Sequence, residues 1–155
     1  MSVSFHNADV KFTLPNKTAL KKFIAKRINY ESGKKARFTY VFCSDTYLLN
    51  INKQFLNHDY FTDIITFPLN ETSVEIEAEI YISIERVKEN AIKFATNKQK
   101  VHLKKDSFIF ELHRVIFHGA LHLIGYQDKN SKKRAEMKKM EDEWLSEFNN
   151  TRKPF

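Results

Sequence analysis

Hydrophobic residues recur every three to four positions in four segments of the chain. This spacing places them on one face of an α-helix and leaves polar residues on the other. The segments are roughly 16–31, 84–94, 108–124 and a final stretch whose apolar stripe is Met137, Met140, Trp144 and Phe148. A polar segment around 45–57 is expected to hold a further short helix. Gly33 and Gly125 stand where two helices should end, because glycine adopts the left-handed conformation of a helix stop without strain.

Other segments alternate hydrophobic and polar residues, which is the pattern of a half-buried β-strand. They lie at 37–43 and 74–82, and glutamates occupy the polar face of the second. A third strand is expected at 63–68, where Pro68 should end it. The sequence VSF at 3–5 is a candidate edge strand.

The order of these elements predicts an α/β (α+β) fold. A chain of 155 residues with 42% hydrophobic residues and only three glycines and three prolines has the length and composition of one globular domain. We expect that domain over 1–150, with a mixed sheet of about four strands packed with about five helices. Residues 151–155 should form a C-terminal tail.

The chain shows no feature of membrane insertion or export. Its apolar runs are shorter than a membrane span, and its first residues lack the basic and apolar regions of a signal peptide. Cys43 is the only cysteine, lies in an apolar run and is expected to be a core thiol. These features predict a cytoplasmic protein with no membrane partner.

The formal net charge is +7, and lysines and arginines cluster at 21–27, 33–37, 98–105 and 129–134. A polyanionic partner such as nucleic acid would explain the excess. Solvated helix faces and loops explain it as well, and on charge alone this second explanation is favoured. The positive charge supports a nucleic-acid partner only if a chemical site lies beside it.

The sequence HGALHLIGYQD at 118–128 is such a candidate site. Residues four apart on a helix lie about 40° round the axis and about 6 Å along it, so His118 and His122 can face one cation. If the helix stops at Gly125, Asp128 can turn back as an oxygen ligand, which leaves a position open as catalytic metal sites do. The alternative is a chance pair of histidines near the core. His113, five residues before His118, should lie off the ligand face.

Gly119 distinguishes two classes of metal enzyme. A zinc protease with this histidine spacing carries glutamate there as the base that activates water. Its absence argues against peptide hydrolysis by that route. Glycine inside a helix costs about 1 kcal/mol relative to alanine, so a close approach of substrate or another backbone is expected at Gly119.

The segment HGALHLIGYQD resembles the H-G-x-L-H-L-x-G-Y-D-H signature of the YbeY family, bacterial metal-dependent endoribonucleases of ribosomal RNA maturation. FTDIITFP at 61–68 is similar to that family's p-T-D-V-L-S-F-p, and AEIYIS at 78–83 to its G-D-I-x-I-S. The resemblance implies a YbeY-like metal-dependent hydrolase domain with a small mixed sheet and a three-ligand site. It also implies one divalent metal ion per chain, taken to be zinc.

The chain departs from the family pattern at three places. Asp128 stands where the family has histidine, and a carboxylate ligand leaves the metal a weaker Lewis acid. Leu56 stands where the family usually has an arginine, so a substrate or catalytic contact is missing or replaced. Ala78 and Glu79 replace the family's glycine and aspartate, which is a milder change.

The resemblance implies a single-strand-specific endoribonuclease that acts in 16S ribosomal RNA processing and ribosome quality control. Its partners would be ribosomal RNA and the small ribosomal subunit, and its metal ligands His118, His122 and Asp128. The metal would polarise the scissile phosphate or supply hydroxide, and the residues leave both open. The RNA-binding lysines would come from two basic pairs, Lys104 and Lys105, and Lys132 and Lys133.

Two further residues are candidates for catalysis. Asp63 matches the family's Thr-Asp motif, although a carboxylate that bonds nearby backbone at the start of a strand explains it as well. Arg114 lies four residues before His118, where its guanidinium could hold a phosphate oxygen in place of the arginine that Leu56 displaces. The alternative is that Arg114 pairs with Glu111 or caps a loop carbonyl.

Two other functions remain open at this point. One is a metal hydrolase of another substrate class, and Gly119 speaks against its peptide version. The other is a ribosome-associated RNA-binding factor with a structural metal, to which Leu56 and Asp128 lend weight. Incubation with ribosomal RNA, with and without a chelator, would distinguish them.

Overall fold

The computed structural model of the chain describes residues 3–94 and 104–151, without the side chains of 94 and 104–106. Nine helices and strands lie in these ranges. In chain order they are β1 (Val3–Asn7), α1 (Lys17–Ser32), β2 (Lys35–Cys43), α2 (Asp45–Leu56), β3 (Ile64–Glu71), β4 (Glu75–Ser83), α3 (Ile84–Phe94), α4 (Lys104–Leu123) and α5 (Ser131–Asn150).

The four strands form one mixed sheet in the order β1-β2-β4-β3. The pairs β1–β2 and β2–β4 are parallel, and β3 runs antiparallel to β4. Together with the five helices of the described ranges, this confirms the predicted α/β fold and the edge position of β1. Of the predicted tail only Thr151 lies within the described residues.

The main core lies on one face of the sheet. Inward side chains of β2 and β4 such as Phe38, Tyr40 and Ile80 are fully buried there. They pack with residues of α1, α4 and α5, among them Phe117 and Trp144. Helix α4, which carries His118 and His122, therefore packs between the sheet and α5.

The opposite face of the sheet has a smaller cluster. Cys43, Leu48 and Ile65 are buried there, beneath α2. The core environment predicted for Cys43 is thus confirmed. Helix α2 packs on this face against β3 and β4.

Pro68 does not end β3, contrary to the expectation from sequence. The strand continues to Glu71, with a register shift between Pro68 and Asn70. Since β3 is the last strand of the sheet, it pairs on one side only. An edge strand tolerates proline, because the missing N–H is not needed for a second ladder.

The helix ends follow the predicted glycines. Gly33 and Gly125 have φ values of 72° and 106°, and Asn57 ends α2 with a φ of 56°. Helix α4 begins at Lys104, four residues before the start of the helix expected at 108–124, so the end of the basic cluster at 98–105 is helical. Residues 98–103 of that cluster lie outside the described ranges. No helix in those ranges combines the length and apolar character that crossing a bilayer requires.

Candidate metal centre

The last turns of α4 and the turn after it carry the predicted metal ligands. Beyond Leu123 the backbone reverses at Gly125, and the N–H of Tyr126 donates to the carbonyl of Leu121 at 3.1 Å. This hydrogen bond closes the helix end in the way a Schellman turn does. The carbonyl of Tyr126 in turn lies 2.9 Å from Nδ1 of His122. The turn therefore both orients a histidine and redirects the chain toward Asp128.

The three predicted ligands come together. Nε2 of His118 lies 2.9 Å from Nε2 of His122, and Oδ2 of Asp128 lies 3.5 Å from each of them. Ligand atoms of all three residues lie within 4.8 Å of one another, so the group could hold a metal ion. Two nitrogens on a tetrahedral zinc ion would lie about 3.3 Å apart, given Zn–N bonds of about 2.0–2.1 Å. A small opening of the histidine pair suffices for such an ion.

A second layer of contacts fixes the histidine rings. Nδ1 of His118 lies 2.7 Å from Oε2 of Glu141, a residue of α5 that is only 7% exposed. Because Nδ1 of each histidine faces an oxygen acceptor, Nε2 of each ring is left to face Asp128. Outer partners of this kind set the tautomer of metal-binding histidines. The donor set and its orientation fit a divalent metal.

Arg114 holds the other oxygen of Glu141. Its guanidinium donates to Oε1 of Glu141 at 2.9 Å and to Oδ1 of Asp142 at 3.0 Å. The ion-pair alternative considered for Arg114 is thus present, with α5 providing the partners in place of Glu111. The chain of contacts runs from Arg114 through Glu141 to His118. Whether Arg114 also contacts phosphate stays a prediction.

The pKa values of the two histidines shift in opposite directions. Burial alone would lower the pKa of His118, but the hydrogen bond and charge of Glu141 outweigh it and raise the pKa. Burial lowers the pKa of His122, and the neighbouring charge of His118 lowers it further. His118 is therefore the ring that holds a proton more readily before a metal displaces it.

Asp63 lies beside this centre, just before β3 begins. Burial raises the pKa of its carboxyl group, against the opposing influence of the His118 charge. Oδ2 accepts a long hydrogen bond from the Asn90 side chain at 3.5 Å, and the carbonyl of Asp63 accepts from the N–H of Ser83 at 2.9 Å. The carboxyl group is thus partly buried near the metal ligands. Its catalytic role stays a prediction.

Gly119 brings α4 close to the sheet. A Cβ atom at this position would lie 2.8 Å from Cδ1 of Ile64, 3.3 Å from Cγ2 of Ile80 and 3.4 Å from Cγ2 of Thr66. The close approach expected at Gly119 is therefore to side chains of β3 and β4 in this structure. It places the turn of α4 that carries His118 against the start of β3.

The other predicted site residues lie at the ends of helices. Lys132 and Lys133 belong to the first turn of α5, and Nζ of Lys133 donates to Oε1 of Gln127 at 2.9 Å. Lys104 and Lys105 begin α4, and their side chains lie outside the described part of the structure. His113 is 2% exposed and packs edge-on against Phe148, which agrees with its expected position off the ligand face.

Glu141 was missed by the sequence analysis, although the pattern contains a signal for it. It lies on the same buried stripe of α5 as Met137, Trp144 and Phe148. A carboxylate among buried hydrophobic side chains needs a specific partner, because its burial without one is costly. That partner, His118, lies 23 residues away in sequence.

The fold and this centre define a small α/β protein with a histidine and aspartate group suited to a divalent metal. A family model described as endoribonuclease YbeY matches residues 3–149. The chain belongs to the endoribonuclease YbeY family, as its motifs indicated.

Individual relatives agree with this assignment. Endoribonuclease YbeY of Cytophaga hutchinsonii is 39% identical over 145 residues, which cover 94% of both chains. The protein of the same name from Flavobacterium psychrophilum is 40% identical over 146 residues, covering 94% of this chain and 96% of its own. The solution structure of TM1509 from Thermotoga maritima superposes with a TM-score of 0.58 at 28% identity, covering 97% of this chain and 93% of that one.

Proposed function

We propose that this chain is a metal-dependent endoribonuclease that cleaves single-stranded ribosomal RNA, in 16S ribosomal RNA processing and ribosome quality control. The observation that carries the proposal is the convergence of His118, His122 and Asp128 within 4.8 Å. It occurs in a member of a family whose relatives are named endoribonucleases. The proposal includes zinc as the metal, the small ribosomal subunit as a partner, and the cytoplasm as the location.

The metal would supply positive charge and Lewis acidity beside the scissile phosphate. In the neutral ring of His118, Glu141 would accept the Nδ1 proton, which leaves the lone pair of Nε2 for the metal. Asp63 is proposed to exchange a proton with the reacting groups through its carboxyl oxygens, because a raised pKa suits that task. Lys132 and Lys133, which follow Asp128 closely, are proposed to contact RNA phosphates.

Arg114 fits two proposed roles. Its side chain is 22% exposed, so it can present part of its guanidinium to a phosphate. Its bonds to Glu141 and Asp142, however, favour a positioning role, in which it holds Glu141 against His118. Lys104 and Lys105 remain proposed RNA contacts on the evidence of charge alone.

Two observations weigh against the alternative functions. The space beside Gly119 is filled by side chains of β3 and β4, so the glutamate of a zinc protease at this position would require at least the Ile64 side chain to move. Among the residues that the structure describes, the candidate ligand group contains three, and Asp128 is 48% exposed. Structural zinc sites are usually closed by four protein ligands, whereas catalytic sites keep a position open.

The test is cleavage of a single-stranded ribosomal RNA fragment by the purified chain, with zinc and with a chelator. We expect cleavage that the chelator stops and that is lost in His118→Ala, His122→Ala and Asp128→Ala. His6→Ala is the matched control, because His6 is an exposed histidine on β1 outside the ligand group. Peptide or small-molecule hydrolysis without RNA cleavage would support a different hydrolase. RNA binding without cleavage would support the binding factor.

A further inference from the structure

Three aromatic rings stand exposed in one short segment, at the end of α2 and in the loop that leads to β3. Phe55 is 64% exposed at the end of α2, and Tyr60 and Phe61 are 56% and 50% exposed in the loop that leads to β3. We call these three residues the aromatic surface. Single exposed hydrophobic residues are common on proteins. Three large rings within seven residues are a feature that calls for a physical explanation.

Each ring is held on one side and left open on another. The Arg86 guanidinium lies 4.9 Å from the centroid of the Phe61 ring. The Tyr60 ring stacks on His58 with a centroid distance of 5.1 Å, and Phe55 packs edge-on against Phe67 at 6.1 Å. The rings are therefore ordered before any ligand arrives, which lowers the entropy cost of binding.

The backbone that carries the rings is also fixed. Asn52 is 1% exposed, and its side-chain nitrogen donates to the carbonyl of Tyr60 at 2.9 Å. The backbone carbonyl of Asn52 accepts a hydrogen bond from the N–H of His58 at 3.1 Å. One buried asparagine thus fastens the loop at two points.

Chain connectivity limits how far the Phe61 end of the aromatic surface can lie from the candidate active site. Phe61 precedes Ile64 by three residues, and Ile64 is the side chain that meets α4 at Gly119, next to His118. Three residues of extended chain span at most about 11 Å. A single strand of RNA whose phosphate lies at the metal can therefore reach the Phe61 ring with a nearby base, and Tyr60 and Phe55 precede Phe61 in the chain.

We propose that the aromatic surface binds unpaired bases of the RNA substrate by stacking, next to the cleaved phosphate. The inference rests on the proposed endoribonuclease function and adds how the chain would select single-stranded RNA. Stacking on a ring requires an exposed base face, which a paired helix does not offer. The rings would thus discriminate by strandedness rather than by sequence.

The size of the surface favours bases over a protein partner. An aromatic side chain has about 150–250 Å² to bury, so three half-exposed rings present about 300 Å². A stable protein interface needs about 800 Å² from each partner. Two or three stacked bases match the smaller area.

A tryptophan at position 61 gives a direct readout of stacking. The only native tryptophan, Trp144, is fully buried, so Phe61→Trp places one reporter on the surface. We expect oligoadenylate, added to the full chain with chelator present to stop cleavage, to quench this fluorescence. An abasic oligonucleotide of the same length and charge should not. Equal quenching by both would overturn the proposal, since it would show binding through phosphates alone.

Affinity measurements test the same surface without a reporter. Phe61→Ala should weaken binding of oligoadenylate at least about fivefold, while Phe61→Tyr stays within about twofold of wild type. The dependence of affinity on salt should keep its slope, because no phosphate contact is removed. Tyr30→Ala is the matched control, since Tyr30 is an aromatic residue of α1 that is 78% exposed. It should bind as wild type does.

The triple variant of Phe55, Tyr60 and Phe61 to alanine separates the remaining outcomes. Unchanged RNA affinity in this variant, with wild-type cleavage intact, would overturn the stacking role and leave the proposed function standing. A second result would also overturn the stacking role. It is that the wild type self-associates in sedimentation and the triple variant does not, while both bind RNA with the same affinity. Base-dependent quenching by a chain that never cleaves RNA would instead overturn the proposed function and leave the stacking surface.

Discussion

Glutamine at position 141 tests how His118 is kept ready for a metal. Glu141 uses both carboxylate oxygens, one on His118 at 2.7 Å and one on Arg114 at 2.9 Å. A glutamine has one oxygen and one NH₂ group, so it can accept from only one of these two donors. If its NH₂ group faces Nδ1 of His118, the ring proton must move to Nε2, where it competes with the metal. If the NH₂ group faces Arg114, two donors oppose each other.

The size of the effect follows from the burial of this contact. Loss of an outer hydrogen-bond partner typically costs about 10- to 100-fold in metal affinity. The Glu141 side chain is only 9% exposed, so water cannot readily replace the lost acceptor. We therefore expect Glu141→Gln to weaken zinc binding at least about tenfold, or about 1.4 kcal/mol. Without metal, the loss of one charge-assisted hydrogen bond of Glu141, to His118 or to Arg114, should lower the free energy of unfolding by about 1.5–3 kcal/mol.

Competition against a chromophoric chelator would measure the zinc affinity. Urea unfolding in the presence of a chelator would measure the stability of the metal-free protein. The matched control is Asp142→Asn, which removes the second partner of Arg114 but leaves His118 untouched. Its zinc affinity should stay within about twofold of wild type. If Glu141→Gln also bound zinc as tightly as wild type, the positioning role of Glu141 would be refuted.

Three smaller perturbations test other parts of the structure. Gly119→Ala should lower the free energy of unfolding by up to about 2 kcal/mol, because crowding against Ile64 outweighs the better helix propensity, and Ile64→Val in the same chain should restore part of it. Burial raises the pKa of Asp63, so native stability falls as pH rises above the ordinary value of 3.8. Asp63→Asn should accordingly be more stable than wild type to urea at pH 7 in metal-free protein, with the difference shrinking toward pH 3.5. Burial, with the charges of Asp9 and Asp45, raises the pKa of Cys43 to about 12, so a thiol reagent at pH 8 should react only after unfolding.

Each of these has a contradicting result. A gain in stability from Gly119→Ala would mean that Ile64 moves aside freely. An Asp63→Asn variant less stable than wild type at pH 7 would show that the ionised carboxylate is stabilised by its surroundings. Rapid modification of Cys43 in the native protein would place its thiol at the surface.

The metal ligands were predictable because their geometry is local. His118 and His122 share one helix, and a single left-handed glycine at 125 is enough to return Asp128 to the same point. Helical spacing and the preferences of glycine are rules that a short sequence window contains. Glu141 joins the site from another helix, so no local rule could pair it with His118.

The mistakes in the sequence analysis have the same origin. Pro68 was expected to end β3, and only the strand order shows that β3 lies at an edge where proline is tolerated. Gly119 was expected to face a substrate or backbone, but its neighbours are side chains of strands nearly 40 and 55 residues earlier in the chain. The aromatic surface also depends on tertiary packing, because sequence alone did not indicate that Phe55 and Phe61 would be exposed.

The most direct measurement is the cleavage rate of a single-stranded ribosomal RNA fragment as zinc is returned to chelator-treated protein. If His118, His122 and Asp128 form the catalytic metal site, the rate should rise linearly and level off at one zinc ion per chain. His122→Ala, titrated alongside, should stay inactive throughout the same range. Full cleavage by the metal-free protein, or full activity of His122→Ala with zinc, would contradict the proposed metal centre.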